Sequence, residues 1–269
     1  MSIFSRVGDL YLEKFSHNNR LERIWKLAQV DFRKRYYNDK FGLLWALINP
    51  LTQIAIYYFV FTKIFQRGGS IPNFALYLFC GLIVWIAFSQ ATSTGMRILY
   101  TKKYLIENIQ FNWLDLYYTH LISISIGMLF NFFAYFIGLL IMGVSIGKYW
   151  YLFPIVFLTW YLLSFAITII LSILRPVFDD IAHIWKILVM IGFWISGIFF
   201  PGEAIVEMYP LLGFANPFLG IILNTRACLL EQNELFANLL AINFLFSLVL
   251  LLISLFAFKK YSQSVIEKL

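Results

Sequence analysis

Six stretches of this chain can cross or nearly cross a lipid bilayer without carrying a charge into it. A helix needs about 20 apolar residues to span a hydrocarbon core of about 30 Å. The runs 43–65, 74–96, 117–143, 150–174 and 237–258 meet that requirement, and 187–200 is a shorter sixth. Their cores contain no Asp, Glu, Lys or Arg; Lys63 sits near one end of the first run. The composition leaves little alternative. Hydrophobic residues make up 61% of the 269 residues and charged residues 13%. A soluble domain of this size cannot hide so much apolar surface, and disorder requires low hydrophobicity. The expected fold is therefore an all-α membrane protein with six transmembrane helices.

The cations give the orientation, because Lys and Arg concentrate on the cytoplasmic side. An even number of spans puts both termini on one side. Nine cations precede the first run: Arg6, Lys14, Arg20, Arg23, Lys26, Arg33, Lys34, Arg35 and Lys40. The same side receives Arg97, Lys102, Lys103, Arg175, Lys186, Lys259, Lys260 and Lys268. The other side holds Lys63, Arg67, Lys148 and Arg226. Seventeen of the 21 Lys and Arg thus fall on the side of the termini, which are expected in the cytoplasm. The net charge of +7 is a sidedness signal, not a nucleic-acid footprint. The domains expected are a cytoplasmic amphipathic segment at 1–40, a membrane domain at 41–258 and a cytoplasmic tail at 259–269.

The first residues have acids and no continuous apolar core, so they do not read as a signal peptide. Instead Ile3, Val7 and Leu10, then Leu21, Ile24, Trp25, Ala28 and Phe32, fall mostly at helical spacings. This predicts amphipathic helices on the inner membrane surface; a small cytoplasmic hairpin is the alternative. Cys80 and Cys228 suit packing, since no disulfide or metal spacing includes them.

Chemistry is sparse. The spans hold no carboxylate relay and no arginine ladder, and His120 at a span end reads as an interfacial residue. The adjacent Asp179 and Asp180 diverge by about 100° on a helix, so capping or a salt bridge suits them better than a metal. Residues 143–149 imitate a phosphate loop, but the spacing is short and Tyr149 replaces the hydroxyl residue. A transport pathway without its own energy source calls for a cytoplasmic ATP-hydrolysing partner. The loop 97–116 suits its docking, with Leu99, Lys102, Lys103, Tyr104, Ile106, Glu107, Ile109 and Phe111 forming a short mixed helix. A solvated or membrane-lying turn is the alternative there. The loop 175–186 is a second contact candidate.

On the outer side, 201–236 is apolar yet broken by Gly202, Pro210, Gly213, Pro217 and Gly220, a pattern of re-entrant helices. Asn216-Pro217 marks the turn between them, and Glu203, Glu207, Glu231 and Glu234 decorate the ends. Ser164, Thr168 and Ser172 share one helix face, as do Gly192 and Ser196, and Ser123 and Gly127. Small residues at that spacing permit close helix contact. Trp45, Tyr57, Tyr58, Trp85, Phe193 and Trp194 can either line a sugar path or face lipid.

The segment DFRKRYYNDKFGLLWALINP at 31–50 resembles the approach to the first span in bacterial ABC-2-type polysaccharide export permeases, the O-antigen, capsule and teichoic acid export family. The stretch from Asp180 through His183, Trp185 and Lys186, then FWISGIFFP at 193–201, Asn216-Pro217 and Arg226, is similar to the family's second signature. The chain departs from the family pattern by lacking a Pro after Lys102-Lys103 and by having Ser196-Gly197-Ile198 where Pro is common. The resemblance implies a homodimer in the bacterial inner membrane, assembled with two ATP-binding subunits and moving a lipid-linked glycan. ATP and Mg would belong to the partner, with no cofactor and no catalytic or metal site in this chain. It implies ATPase contacts at Lys102, Lys103, Tyr104, Glu107, Asn108, Asp179 and Asp180. A path along the first and fifth spans would use Trp45, Asn49, Tyr57, Phe193, Trp194 and Ser196. Asn216, Pro217 and Arg226 would form the re-entrant turn. Rival readings are an ABC exporter of small lipids or drugs, and a transferase on lipid-linked sugars using Asp179, Asp180 and His183.

Overall fold

The computed structural model describes residues 20–35, 41–66, 71–108, 112–209, 216–230 and 234–266. These residues form helices and turns, with no strand among them. In chain order the helices are α1 (Arg20–Lys34), α2 (Trp45–Phe59), α3 (Phe74–Gly95), α4 (Ile98–Thr101), α5 (Lys103–Asn108), α6 (Leu114–Met142), α7 (Phe153–Leu174), α8 (Ile181–Ile195), α9 (Gly202–Met208), α10 (Pro217–Leu229) and α11 (Ala237–Ile266). Four are long and apolar enough to cross a membrane: Phe74–Gly95, Leu114–Met142, Trp150–Leu174 and Ala237–Ser262. The first sequence run becomes α2, which contains Pro50 and continues as a π-helical turn over Val60–Ile64. The short run at 187–200 belongs to α8, which starts earlier and stops at Ile195. Ile181–Ile195 and Pro217–Leu229 are shorter apolar helices.

Lipid tails are as apolar as leucine, so helices in a bilayer associate through close packing and interhelical hydrogen bonds. The centre of this fold follows that rule. The helix α3 packs against α2, α6, α7, α8 and α10, and most of its side chains are buried. At its C-terminal end Gly95 meets α6 and α7, where a Cβ would stand 2.3 Å from Thr168 Cγ2 and 3.0 Å from His120 Nε2. His120 is buried there, 2.9 Å from the Ala91 carbonyl, instead of lying at a lipid interface as the sequence suggests. The expected small-residue face on α7 is buried throughout at Ser164, Thr168 and Ser172. The Ser172 and Tyr117 hydroxyls lie 2.6 Å apart, and Trp160 Nε1 donates to the Val84 carbonyl at 3.2 Å. Cys80 and Cys228 are both buried and free.

The helix α6 is 29 residues long, about 44 Å at about 1.5 Å per residue, well beyond a core of about 30 Å. The excess accommodates α1, which lies along its first turns. Ile24, Leu27 and Ala28 are buried, whereas Leu21 and Trp25 of the expected stripe face outward. Asp115, fully buried at the start of α6, accepts from Arg20 Nε at 2.9 Å, Arg20 Nη2 at 2.6 Å and Arg23 Nη2 at 3.4 Å. On the exposed side of α1, the ion pair with Lys26 holds Glu22 below the usual carboxylate range.

The close approach at Gly95 generates a stability prediction. Gly95→Ala should lower the unfolding temperature of the detergent-purified chain, consistent with an overpacking cost of about 1–3 kcal/mol. Adding Thr168→Ser removes the colliding Cγ2 and should recover part of the loss.

Candidate functional site

A cavity of about 730 Å³ lies between α2, α3 and α6, with Phe193 of α8 completing one wall. Its lining is graded along the helices. The end near α1 is formed by Arg35, Trp45, Asn49, Ser93, Gln90 and Ser89. Thr52, Gln53 and Asn131 continue the polar lining. Toward the opposite end of α2 and α3 the wall becomes Tyr57, Trp85, Ile83 and Phe193. Arg35 Nη2 donates to Ser123 Oγ at 3.0 Å, which ties the end of α1 to α6 at the cavity mouth. Neutral amides and hydroxyls can exchange hydrogen bonds with a polyhydroxylated ligand, while flat rings suit the C–H faces of sugars.

The sequence-derived path residues divide. Trp45, Asn49 and Tyr57 share one face of α2 at spacings of four and eight, and all three line the cavity together with Phe193. Trp194 is half exposed and packs on Phe199 and Phe193. Ser196 is buried, donating to the Gly192 carbonyl at 2.5 Å, with Asn216 Nδ2 at 3.3 Å from its oxygen. Neither lines the cavity. Trp85 does, and Tyr58 does not. Arg35, Gln53, Gln90 and Asn131 are additions from the structure. For Gln53, Gln90 and Asn131 the signal in the sequence was an amide in an otherwise apolar span: Asn49 and Gln53 are one turn apart on α2.

The loop 97–116 folds as α4 and α5; residues 109–111, including Ile109 and Phe111, lie outside the described residues. Ile98 and Leu99 are buried, while Tyr100 and Tyr104 are exposed. Lys102 turns inward: its ammonium donates to Asp31 Oδ1 of α1 at 2.6 Å, and both side chains are largely covered. Burial, and then the nearby positive Lys102, push Lys34 below the usual lysine range. Lys103 follows on α5 with Glu107 and Asn108 at its end. On the loop before α8, Arg175 holds the exposed Asp179, Nη1 to Oδ1 at 2.8 Å. Asp180 occupies the N-cap position of α8 without a side-chain cap bond.

Asn216 is the N-cap of α10; its side chain accepts from Phe218 N at 3.1 Å, and Pro217 follows at the first helical position, where its missing N–H costs nothing. Pro210 and Gly213 lie outside the described residues. Arg226, expected with Asn216 and Pro217 at the re-entrant turn, stands in the last turn of α10. It is fully buried in α10.

Long apolar helices packed around a partly polar cavity, with ion pairs gathered near α1, define a membrane transport protein. The ABC-2 type transporter family matches residues 22–229, and the chain belongs to that family. It is 27% identical over 212 residues to the O-antigen export system permease protein RfbA of Myxococcus xanthus, covering 77% of this chain and 79% of that protein. It is also 27% identical over 214 residues to the O-antigen export system permease protein RfbA of Klebsiella pneumoniae, 79% of each chain. The polysialic acid transport protein KpsM of Escherichia coli is 23% identical over 244 residues, 88% of this chain and 92% of that protein.

The pair between Asp31 and Lys102 can be tested by charge exchange. Asp31→Lys and Lys102→Asp should each lower the unfolding temperature, and the double exchange should restore much of it. The coupling expected for a close, part-buried pair is about 0.5–3 kcal/mol. Additive losses would mean that the two side chains do not interact.

Proposed function

We propose that this chain is the membrane-spanning subunit of an ATP-driven exporter that moves a lipid-linked polysaccharide across the bacterial inner membrane. The observation that carries the reading is its likeness to two O-antigen export permeases and a polysialic acid transport protein over most of each chain. In this reading the polypeptide crosses the membrane six times, through 45–64, α3, α6, α7, α8 with the segment following it, and α11. Both termini are cytoplasmic, which the distribution of Lys and Arg supports. The helices α9 and α10 are re-entrant on the outer side, where their backbone groups are satisfied by packed protein instead of water.

Two copies assemble with two ATP-binding subunits, which hold ATP and Mg and supply the energy. The partner docks on α4 and α5 through Lys103, Tyr104, Glu107 and Asn108, with Asp179 and Asp180 at the edge. Lys102 contributes from behind, by fixing this surface to α1. Binding and hydrolysis of ATP move the loop, rock the two protomers and open a path along the first and fifth spans. Within each protomer the cavity offers the glycan neutral amides near α1 and aromatic faces beyond. Many weak contacts of this kind hold a polymer without trapping it.

The membrane-embedded transferase is less well supported. Its acidic candidates are an Asp179 engaged by Arg175 and an Asp180 at a helix start, on an exposed loop rather than in a cleft. Export of small lipids or drugs would use the same fold, but the amide-rich lining of the cavity favours a hydroxylated substrate.

The test is co-expression with an ABC-type ATPase in a strain lacking its own glycan exporter. The two chains should co-purify, and surface glycan should reappear. A stable permease that recruits no ATPase would sink the proposal. Ser93→Trp, which fills the polar end of the cavity, should abolish export while leaving ATPase recruitment intact; glycan export at the normal rate would remove the cavity from the path.

A further inference from the structure

Arg226 has no carboxylate partner among the described residues, although its side chain is completely buried. An arginine cannot shed its charge to escape such a site, and a buried unpaired cation is expensive. Its donors go to backbone carbonyls: Nη1 to Gly197 at 2.7 Å, Nη2 to Ile198 at 2.9 Å and Nε to Tyr77 at 3.3 Å. The guanidinium carbon also lies 3.3 Å from the centre of the Tyr77 ring, a cation–π contact. The Tyr77 hydroxyl then donates to the Phe200 carbonyl at 2.9 Å. Two side chains thus grip three carbonyls of the segment 197–200, which follows α8. Gly197 makes the required turn with φ of +70°, a left-handed conformation that costs glycine little. The carbonyl end of α8 also carries the negative pole of the helix and favours a cation beside it.

What this grip fixes is Phe199. Its ring stacks on Phe61 at 4.8 Å and meets Tyr57 at 5.0 Å and Phe193 at 5.1 Å. Tyr57 and Phe193 are cavity walls at the end away from α1, so Phe199 sits directly behind them. We propose that Phe199 closes this end of the cavity, and that Arg226 and Tyr77 are positioning residues that hold it shut. A planar fork with two fixed donors can hold consecutive carbonyls in one place, which an apolar side chain of the same volume cannot. The chain segment then moves as a unit with α10 when the outer end opens. This inference rests on the exporter reading for its sidedness.

The test uses the assembled exporter in intact cells without added substrate, with Gln53→Cys as a reporter in the cavity wall. A membrane-impermeant maleimide is applied from outside, and the native, buried Cys80 is the control for loosening of the fold. With residues 77, 199 and 226 intact, labelling of the reporter should be slow. Phe199→Ala, Arg226→Gln and Tyr77→Phe should each raise the rate, about tenfold where one closing hydrogen bond worth about 1.4 kcal/mol is lost. Cys80 should stay unlabelled in all of them. Arg226→Lys, which keeps the charge but not the fork, should fall between the intact chain and Arg226→Gln. Three outcomes would overturn the proposal: fast labelling with all three residues intact, unchanged labelling in Phe199→Ala and Tyr77→Phe, or Cys80 reacting in step with the reporter. Surface glycan is scored in the same cells, so loss of the exporter reading registers separately from loss of the closure.

Discussion

Close approach between helices is the constraint on which this structure depends. In a bilayer, apolar side chains gain little by leaving lipid for protein, so shape and hydrogen bonds must do what the hydrophobic effect does in water. Gly95, Thr168 and Ser172 provide the shape at the junction of α3, α6 and α7, and His120, Tyr117 and Trp160 provide bonds beside it. The rest of α3 packs against α2, α8 and α10. Beside the cavity, Tyr57 of α2 and Trp85 of α3 both contact Phe193 of α8 without filling the intervening space. The cavity lies on the side of α3 that carries Trp85 together with the smaller Ala87, Ser89 and Ser93.

Charge obeys the same economy. The ion pairs of α1 lie beside the first turn of the long α6 and on the loop after α3. Asp115 draws two arginines onto the start of α6, and Asp31 draws Lys102 from the loop behind α3. Asp31 and Arg35 are four residues apart, so the side chain that engages the loop and the one at the cavity mouth occupy neighbouring turns of the same helix edge. A movement of the loop therefore reaches the mouth through α1 directly, as well as through α3. Through these two side chains α1 links the loop after α3 to the lining of the cavity.

The long helices were legible because uninterrupted apolar runs leave the backbone few options in lipid. The face of α2 bearing Trp45, Asn49 and Tyr57 was legible from a spacing of four. Rotation about α8 was not: Phe193 faces the cavity, and Trp194, about 100° further round, cannot. The partners of Asp115 lie more than 90 residues upstream, and those of Lys102 are 71 away, so neither pair leaves a local pattern. Arg226 is the extreme case. A lone cation in a Gly- and Pro-broken segment gives no sign of its partners, because the carbonyls that bury it lie 28, 29 and 149 residues away. The run 187–200 was legible as apolar, but not the place where α8 yields to irregular backbone. That depends on Gly197 adopting positive φ with a guanidinium at hand to receive the freed carbonyls.

These placements explain how a pathway can be polar without becoming a sink. A fixed carboxylate or ammonium among the walls of a low-dielectric cavity would bind a passing charge or hydroxyl strongly and slow its release. Asn49, Gln53, Gln90 and Asn131 instead present neutral dipoles, each of which exchanges one modest hydrogen bond for another as a sugar moves by. The cations are kept at the two ends: Arg35 at the mouth, bonded to Ser123, and Arg226 behind the aromatic wall, committed to carbonyls. Directionality then need not come from binding along the path. In the proposed mechanism it comes from which end is closed: one end is tied to α1 and the loop after α3, the other to α10 through Arg226.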